Sequence, residues 1–154
     1  MASNRHLGRI VALQTLYEYE FRHQSEDKNL DLNEILDRNI ERYKEAIDDT
    51  AFVNELVDGV LKHQTELDEK LQPMAPGWPL DQIARIDRNV LRIGLYELLY
   101  KAASVPPKVV INEAVELAKA FGSDNSSKFI NGVLGTAYRT LVETEDQPNA
   151  TANS

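Results

Sequence analysis

Two clusters of side chains have the types and spacing to hold an anion or an unpaired base. Arg5, His6 and Arg9 stand near the start of the chain, ahead of its first acid at Glu18. Guanidinium groups suit phosphate because their fixed fork of donors matches two of its oxygens. The second cluster is Gly122-Ser123-Asp124-Asn125-Ser126-Ser127-Lys128-Phe129. There a helix end, a polar turn and a new helix start lie together. Free amides at such a start receive anions, Lys128 adds charge, and Phe129 offers a ring to an unpaired base. Each cluster also has a plain structural explanation. Arg5 can be a solvated helix start, Asp124 or Ser126 an ordinary cap, and Phe129 a core residue.

Catalytic signatures are missing from the sequence. The only histidines are His6, His23 and His63, and no two have metal-ligand spacing. No Gly-x-Gly-x-x-Gly, phosphate loop or Gly-x-Ser-x-Gly elbow occurs. Glu113 and Glu116 share a helix face, but neither is followed by the histidine that carboxylate-bridged bundles need. The absence of cysteine removes disulfides, thiolate metal sites and a cysteine nucleophile. The expectation is a protein that is not an enzyme and has no metal or cofactor.

The elements that must position these residues come from a chain of 154 residues, 42% apolar, a size that suits one domain. No stretch approaches the roughly 18 apolar residues of a membrane span, and Met1 to Gln14 lacks a secretory pattern. A soluble, cytoplasmic protein is expected. The net charge of −8 is unevenly spread. Residues 1–24 carry three Arg against two Glu, residues 25–72 six bases against fourteen acids, and residues 73–142 eight bases against six acids. The acid sits in one middle stretch and the tail, with mildly basic flanks on either side. Solvated helix faces explain this pattern on charge alone.

Helical periodicity dominates and strand alternation is nearly absent. A first helix is expected from Arg5 to Phe21, with Ile10, Leu13, Leu16, Tyr17 and Phe21 on one face. A second should span Asp31 to Ile47. A third, capped in Asp48-Asp49-Thr50, should continue past His63 to Leu71. Pro73, Pro76, Gly77 and Pro79 then break the helix. Leu80 to Ala84 suits a short helical turn. Ile86 to Ala102 is apolar around most of its circumference and should be the buried central helix. Gly94 within it costs about 1 kcal/mol relative to Ala, for which close helix approach is the reason. Later helices should run from Lys108 to Phe121, ending on Gly122 as a left-handed cap, and from Ser127 to Val142. The fold class is all-α, with six to seven helices in two packed three-helix units. One domain covers residues 1–142, with halves at 5–72 and 80–142 joined by linker 73–79. The acidic tail 143–154 reads as disordered.

Four blocks carry a family resemblance. Ala12-Leu13-Gln14-Thr15-Leu16-Tyr17 resembles the opening helix of the NusB family. Ile86-Asp87-Arg88-Asn89-Val90-Leu91-Arg92-Ile93-Gly94-Leu95-Tyr96-Glu97-Leu98 and the run from Val105 to Lys119 follow that family's pattern closely. So does Phe121 to Leu134, which includes Ser127-Lys128-Phe129. The blocks are ungapped and in order, and the likeness spans about residues 5–140. Residues 24–80 resemble the family only in helical pattern.

The resemblance implies a transcription antitermination factor without catalysis. Such a protein pairs with NusE, a small-subunit ribosomal protein, and binds the single-stranded boxA element of nascent ribosomal RNA. Together they help to assemble the antitermination complex on RNA polymerase. The same likeness implies Arg5 and Arg9 as phosphate contacts, with Gln14 and Tyr17 beside them on the first helix. Ser127, Lys128 and Phe129 complete the RNA-binding set, while Asp87 and Asn125 fall near the RNA and partner surface. In isolation the protein would be a monomer or a homodimer. A related module begins certain RNA cytosine methyltransferases, but no methyltransferase segment follows here, so the free-standing adaptor is expected.

The chain also departs from the family. His6, Leu7 and Gly8 fill a stretch often richer in arginine, and each lost phosphate contact should lower the salt slope by roughly one. Asn125 stands where many members carry an acid. The alternative function is a protein-interaction helical bundle with little RNA binding. The acidic stretch 25–72 should face away from RNA, where it could meet a basic ribosomal protein.

Overall fold

The computed structural model describes residues 2–143, with side chains from Arg5 onward. Apart from Glu143, the tail expected to be disordered lies outside the described residues. Those residues form seven α-helices and no strand: α1 (Ala2–Gln24), α2 (Leu32–Tyr43), α3 (Thr50–Lys62), α4 (Gln64–Leu71), α5 (Arg85–Tyr100), α6 (Pro107–Phe121) and α7 (Ser126–Ala137). The all-α expectation of six or seven helices holds. The chain divides into two compact units between Lys62 and His63.

The first unit packs α1 against α2 and α3. Val11, Ala12, Leu13 and Leu16 bury their side chains together with Ile35, Leu36, Val53, Leu56 and Val57. Asp31 caps α2 by accepting from the amides of Asn33 and Glu34, and Asp49 accepts from the Phe52 amide at 3.0 Å to start α3. One polar bridge crosses this core: the buried Asn39 amide donates to the Thr15 hydroxyl at 3.0 Å. Gly8 brings α1 close to α3, since a Cβ there would lie 3.2 Å from the Phe52 ring and 3.3 Å from Val53.

The second unit is built around α5, which packs on α4, α6 and α7. Every residue from Asp87 to Leu98 is buried. Pro107 opens α6 without loss, because the first amides of a helix have no intrahelical partner. The expected close approach at Gly94 is present: a Cβ there would lie 2.6 Å from the Leu134 side chain of α7.

Three local expectations are corrected. The third helix does not run through His63, which leaves helical geometry at φ −103°, ψ 12° and separates α3 from α4. Leu67 and Leu71 are buried within the second unit, where α4 packs on α5, so the compact units part before the proline segment rather than within it. Gly122 is not a left-handed cap, because its φ is −93° and its ψ −165°. Glycine is required there by contact, since a Cβ would lie 2.5 Å from the Ser126 hydroxyl and 2.8 Å from the Ala118 carbonyl. The last helix is regular only to Ala137 and ends in a wider π turn, Tyr138–Glu143.

Candidate nucleic-acid interface

In the first unit, the expected residues of α1 divide between two faces. Arg5 and Arg9 are four residues apart and share a face, with guanidinium carbons 4.8 Å and 5.1 Å from the Phe52 ring centroid. Cations attract the negative face of an aromatic ring, so Phe52 orients both arginines. Their exposure differs sharply. Arg5 is half-buried, whereas Arg9 is only 2% exposed. Arg9 is therefore not the solvent-facing fork that the sequence suggests; its charge is held inside the unit beside α3.

Gln14, Tyr17 and Phe21 follow at steps of three and four on the other face, about half a turn around from Arg5. Tyr17 and Phe21 are exposed, and the Gln14 Oε1 is buried without a hydrogen-bond partner. Farther along α1, Glu18 binds both Arg22 and Arg38, and Arg22 also donates to Asp27 at 2.7 Å. Burial pushes the Glu18 carboxyl up, but hydrogen bonds and charge from Arg38 and Arg22 outweigh it and hold the group low. The hydrogen bond from Arg22, then that from the Asn29 amide, lowers Asp27.

In the second unit, Asp87, Asn125 and Phe129 line one cavity of about 270 Å³, joined by Trp78, Gln82 and Ser123. Asp87 comes from the first turn of α5, Asn125 and Phe129 from the start of α7, and Trp78 from the proline segment. The local backbone is closely tied. Gly77 turns the chain at φ +84°, a left-handed conformation that suits glycine. The Gln72 side-chain amide then donates to the Trp78 carbonyl at 2.9 Å, and its oxygen accepts from the Leu80 amide at 3.0 Å. Buried Arg88 donates to the carbonyls of Leu80 and Ile83 at 3.0 Å and 2.7 Å, tying the segment to α5.

Trp78 and Phe129 meet nearly edge to face, centroids 6.4 Å apart and planes at 67°. Phe129 is half-buried, so it belongs to the cavity wall and is neither wholly core nor wholly free. Asp87 is 9% exposed, and its Oδ1 is buried without a partner. Lys128 is exposed and Ser127 half-buried on the same first turn of α7. Neither Asp124 nor Ser126 caps that helix. The Ser126 hydroxyl instead accepts from the Ser123 amide at 2.9 Å and closes the preceding turn.

Sequence reasoning missed Trp78, Arg88 and Phe52. The only signal for Trp78 was its being the sole tryptophan, set between Gly77 and Pro79 in a segment read as a helix breaker. Among the described residues, no group of three or more His, Cys, Asp or Glu side chains could hold a metal ion. No helix among them is long and apolar enough to cross a membrane.

The chain is similar to the transcription antitermination protein NusB of Chloroflexus aggregans, 44% identical over 147 residues that cover 94% of each chain. Its fold matches T. maritima NusB with a TM-score of 0.77 at 30% identity, covering 88% of this chain and 91% of that one. It also matches a NusB chain in a crystal structure of antitermination factors NusB and NusE in complex with dsRNA, with a TM-score of 0.74 and 26% identity over 90% and 98% of the two chains. The sequence profile of the NusB family covers residues 6–139, and the chain belongs to that family.

Proposed function

We propose that this protein is a non-catalytic, cytoplasmic RNA-binding adaptor in transcription antitermination. With NusE it binds the single-stranded boxA element of nascent ribosomal RNA and helps to assemble the antitermination complex on RNA polymerase. The observation that carries this reading is the meeting of Asp87, Asn125 and Phe129, three residues chosen from the sequence, in one aromatic-walled cleft with Trp78. Clefts that join ring faces to a few polar groups suit unstacked bases, which is how single-stranded RNA is read. The relative crystallised with NusE and RNA supports the choice of partners.

Arg5 supplies phosphate contact from the first unit, with Arg9 seated behind it on Phe52. Gln14 and Tyr17 offer a second polar and aromatic surface on α1. Ser127 and Lys128 flank the cleft, where Lys128 contributes charge. The burial of Arg9 favours a second reading, a protein-interaction bundle with little RNA binding, because it leaves one fewer free cation for phosphate.

Titration of labelled boxA-type RNA and a scrambled control, with and without NusE and at two salt concentrations, separates the two. Selective binding that needs NusE and weakens with salt supports the adaptor, since phosphate contacts release counterions. Binding to NusE without RNA selectivity supports the interaction bundle.

A further inference from the structure

We propose that Gln72 is a positioning residue for RNA: its side-chain amide holds the proline segment in a preset shape and so presents the Trp78 ring. This rests on the RNA-binding reading above and deepens it, because it places a determinant of affinity outside the cleft.

The sequence reads residues 73–79 as a linker, yet they join no two units. Both α4, before the segment, and α5, after it, belong to the second unit. Prolines 73, 76 and 79 have no amide hydrogen, so the stretch cannot tie itself into a regular helix or strand. The Gln72 side chain supplies the missing bonds. Its Nε2 donates to the Trp78 carbonyl at 2.9 Å, and its Oε1 accepts from the Leu80 amide at 3.0 Å. Used at both ends, the side-chain amide copies a peptide group and closes the loop between residues 72 and 80.

The Trp78 amide donates in turn to the Ala75 carbonyl at 3.1 Å, so both polar backbone groups of Trp78 are engaged. Gly77 at φ +84° and Pro79 at φ −55° set the chain direction on either side. The ring so held is 58% exposed. Ordering a segment costs conformational entropy, and a solvent-facing ring recovers little of it by burial. A ligand does gain, because a ring already in place spares the ordering that binding otherwise exacts. Gln72 does not line the cleft, so its route to RNA runs through the segment it holds.

Trp78 is the chain's only tryptophan, so its emission anisotropy in the free protein reports on this segment alone. Gln72→Met keeps the side-chain length and removes both hydrogen bonds. Gly77→Ala disturbs the same segment independently: its methyl meets no atom within 4 Å, but the positive φ opposes any L side chain. Each variant is compared with the wild type for Trp78 anisotropy and, with NusE added, for affinity toward single-stranded boxA-type RNA. A thermal melt confirms that each is folded. The expected result is lower anisotropy in both variants and RNA affinity reduced roughly three- to tenfold, the equivalent of one side chain that must be ordered on binding. In a Trp78→Ala background Gln72→Met should cost no further affinity, because Gln72 acts through the ring. An unmoved anisotropy, a loosened ring with unchanged affinity, or a loss that persists in the Trp78→Ala background refutes the positioning role and leaves the adaptor standing. If the wild type with NusE binds no RNA, both readings fall together.

Discussion

Arg92 of α5 grips Asp68 of α4 with two parallel hydrogen bonds, Nε to Oδ1 at 2.8 Å and Nη2 to Oδ2 at 2.9 Å. The two partners are unequally buried, with side chains 5% and 27% exposed respectively. This asymmetry decides the cost of breaking the pair. Asp68→Ala takes two charge-assisted hydrogen bonds from a guanidinium inside the second unit and should destabilise the protein by about 3 kcal/mol. Arg92→Met leaves a carboxylate that water can still reach, and the methionine fills part of the vacated volume, so its cost should be smaller. Urea unfolding of both variants checks the order, and equal losses would contradict it.

Two helical glycines should respond oppositely to alanine. At Gly94 the new methyl meets Leu134, which is wholly buried and has little room to turn. Overpacking of about 1–3 kcal/mol should exceed the roughly 1 kcal/mol that alanine returns in helix propensity. At Gly132 of α7 nothing lies within 4 Å, so alanine there should stabilise by about 0.4–1 kcal/mol. Thermal melts of the two variants should therefore move in opposite directions.

The cluster around Glu18 predicts an acid dependence. Its folded-state pKa lies below the ordinary value of 4.5, so its contribution is complete above that value and fades as pH falls further. Asp27 acts in the same direction. Arg38→Ala removes the larger hydrogen-bonding partner, so the Glu18 titration should move back toward 4.5, and stability near pH 4 should depend less on pH. Carboxyl NMR titration of wild type and variant reads this directly, and an unmoved Glu18 would show that Arg38 does not hold it.

Arg5 and Arg9 should separate by phenotype. Arg5→Ala should lower the slope of log affinity for RNA against log salt by roughly one, with little loss of stability. Arg9→Ala should cost about 1–2 kcal/mol of folding stability through lost contact with Phe52, while the salt slope stays nearly the same. If Arg9→Ala alone flattened the slope, its guanidinium would have to reach phosphate from its buried position.

Much of the fold was legible because helix stops are local chemistry. Asp31, Asp49 and the prolines mark boundaries that short-range hydrogen bonding enforces. Gly94 could be read as a close approach because a glycine inside an apolar helix has few other uses. The break at His63 left no such mark. No proline or glycine stands there, and the division follows from Leu67 and Leu71 packing in the second unit. The site was legible in the same uneven way. Residue type singled out Phe129 and the arginines, but periodicity could not show that Phe52 lies beneath both guanidiniums or that Trp78 faces Phe129. Those pairings come from chain segments far apart in sequence.

The continuous burial of Asp87 to Leu98 has a consequence for how such chains diverge. The block by which this one is most readily recognised is also the block with least freedom to change, because nearly every side chain in it has neighbours to satisfy. A descendant could keep that helix unaltered and still exchange Arg5, Tyr17, Trp78 or Lys128, all of which meet solvent at least in part. Kinship would then be recorded in the interior, while the exposed side chains drifted.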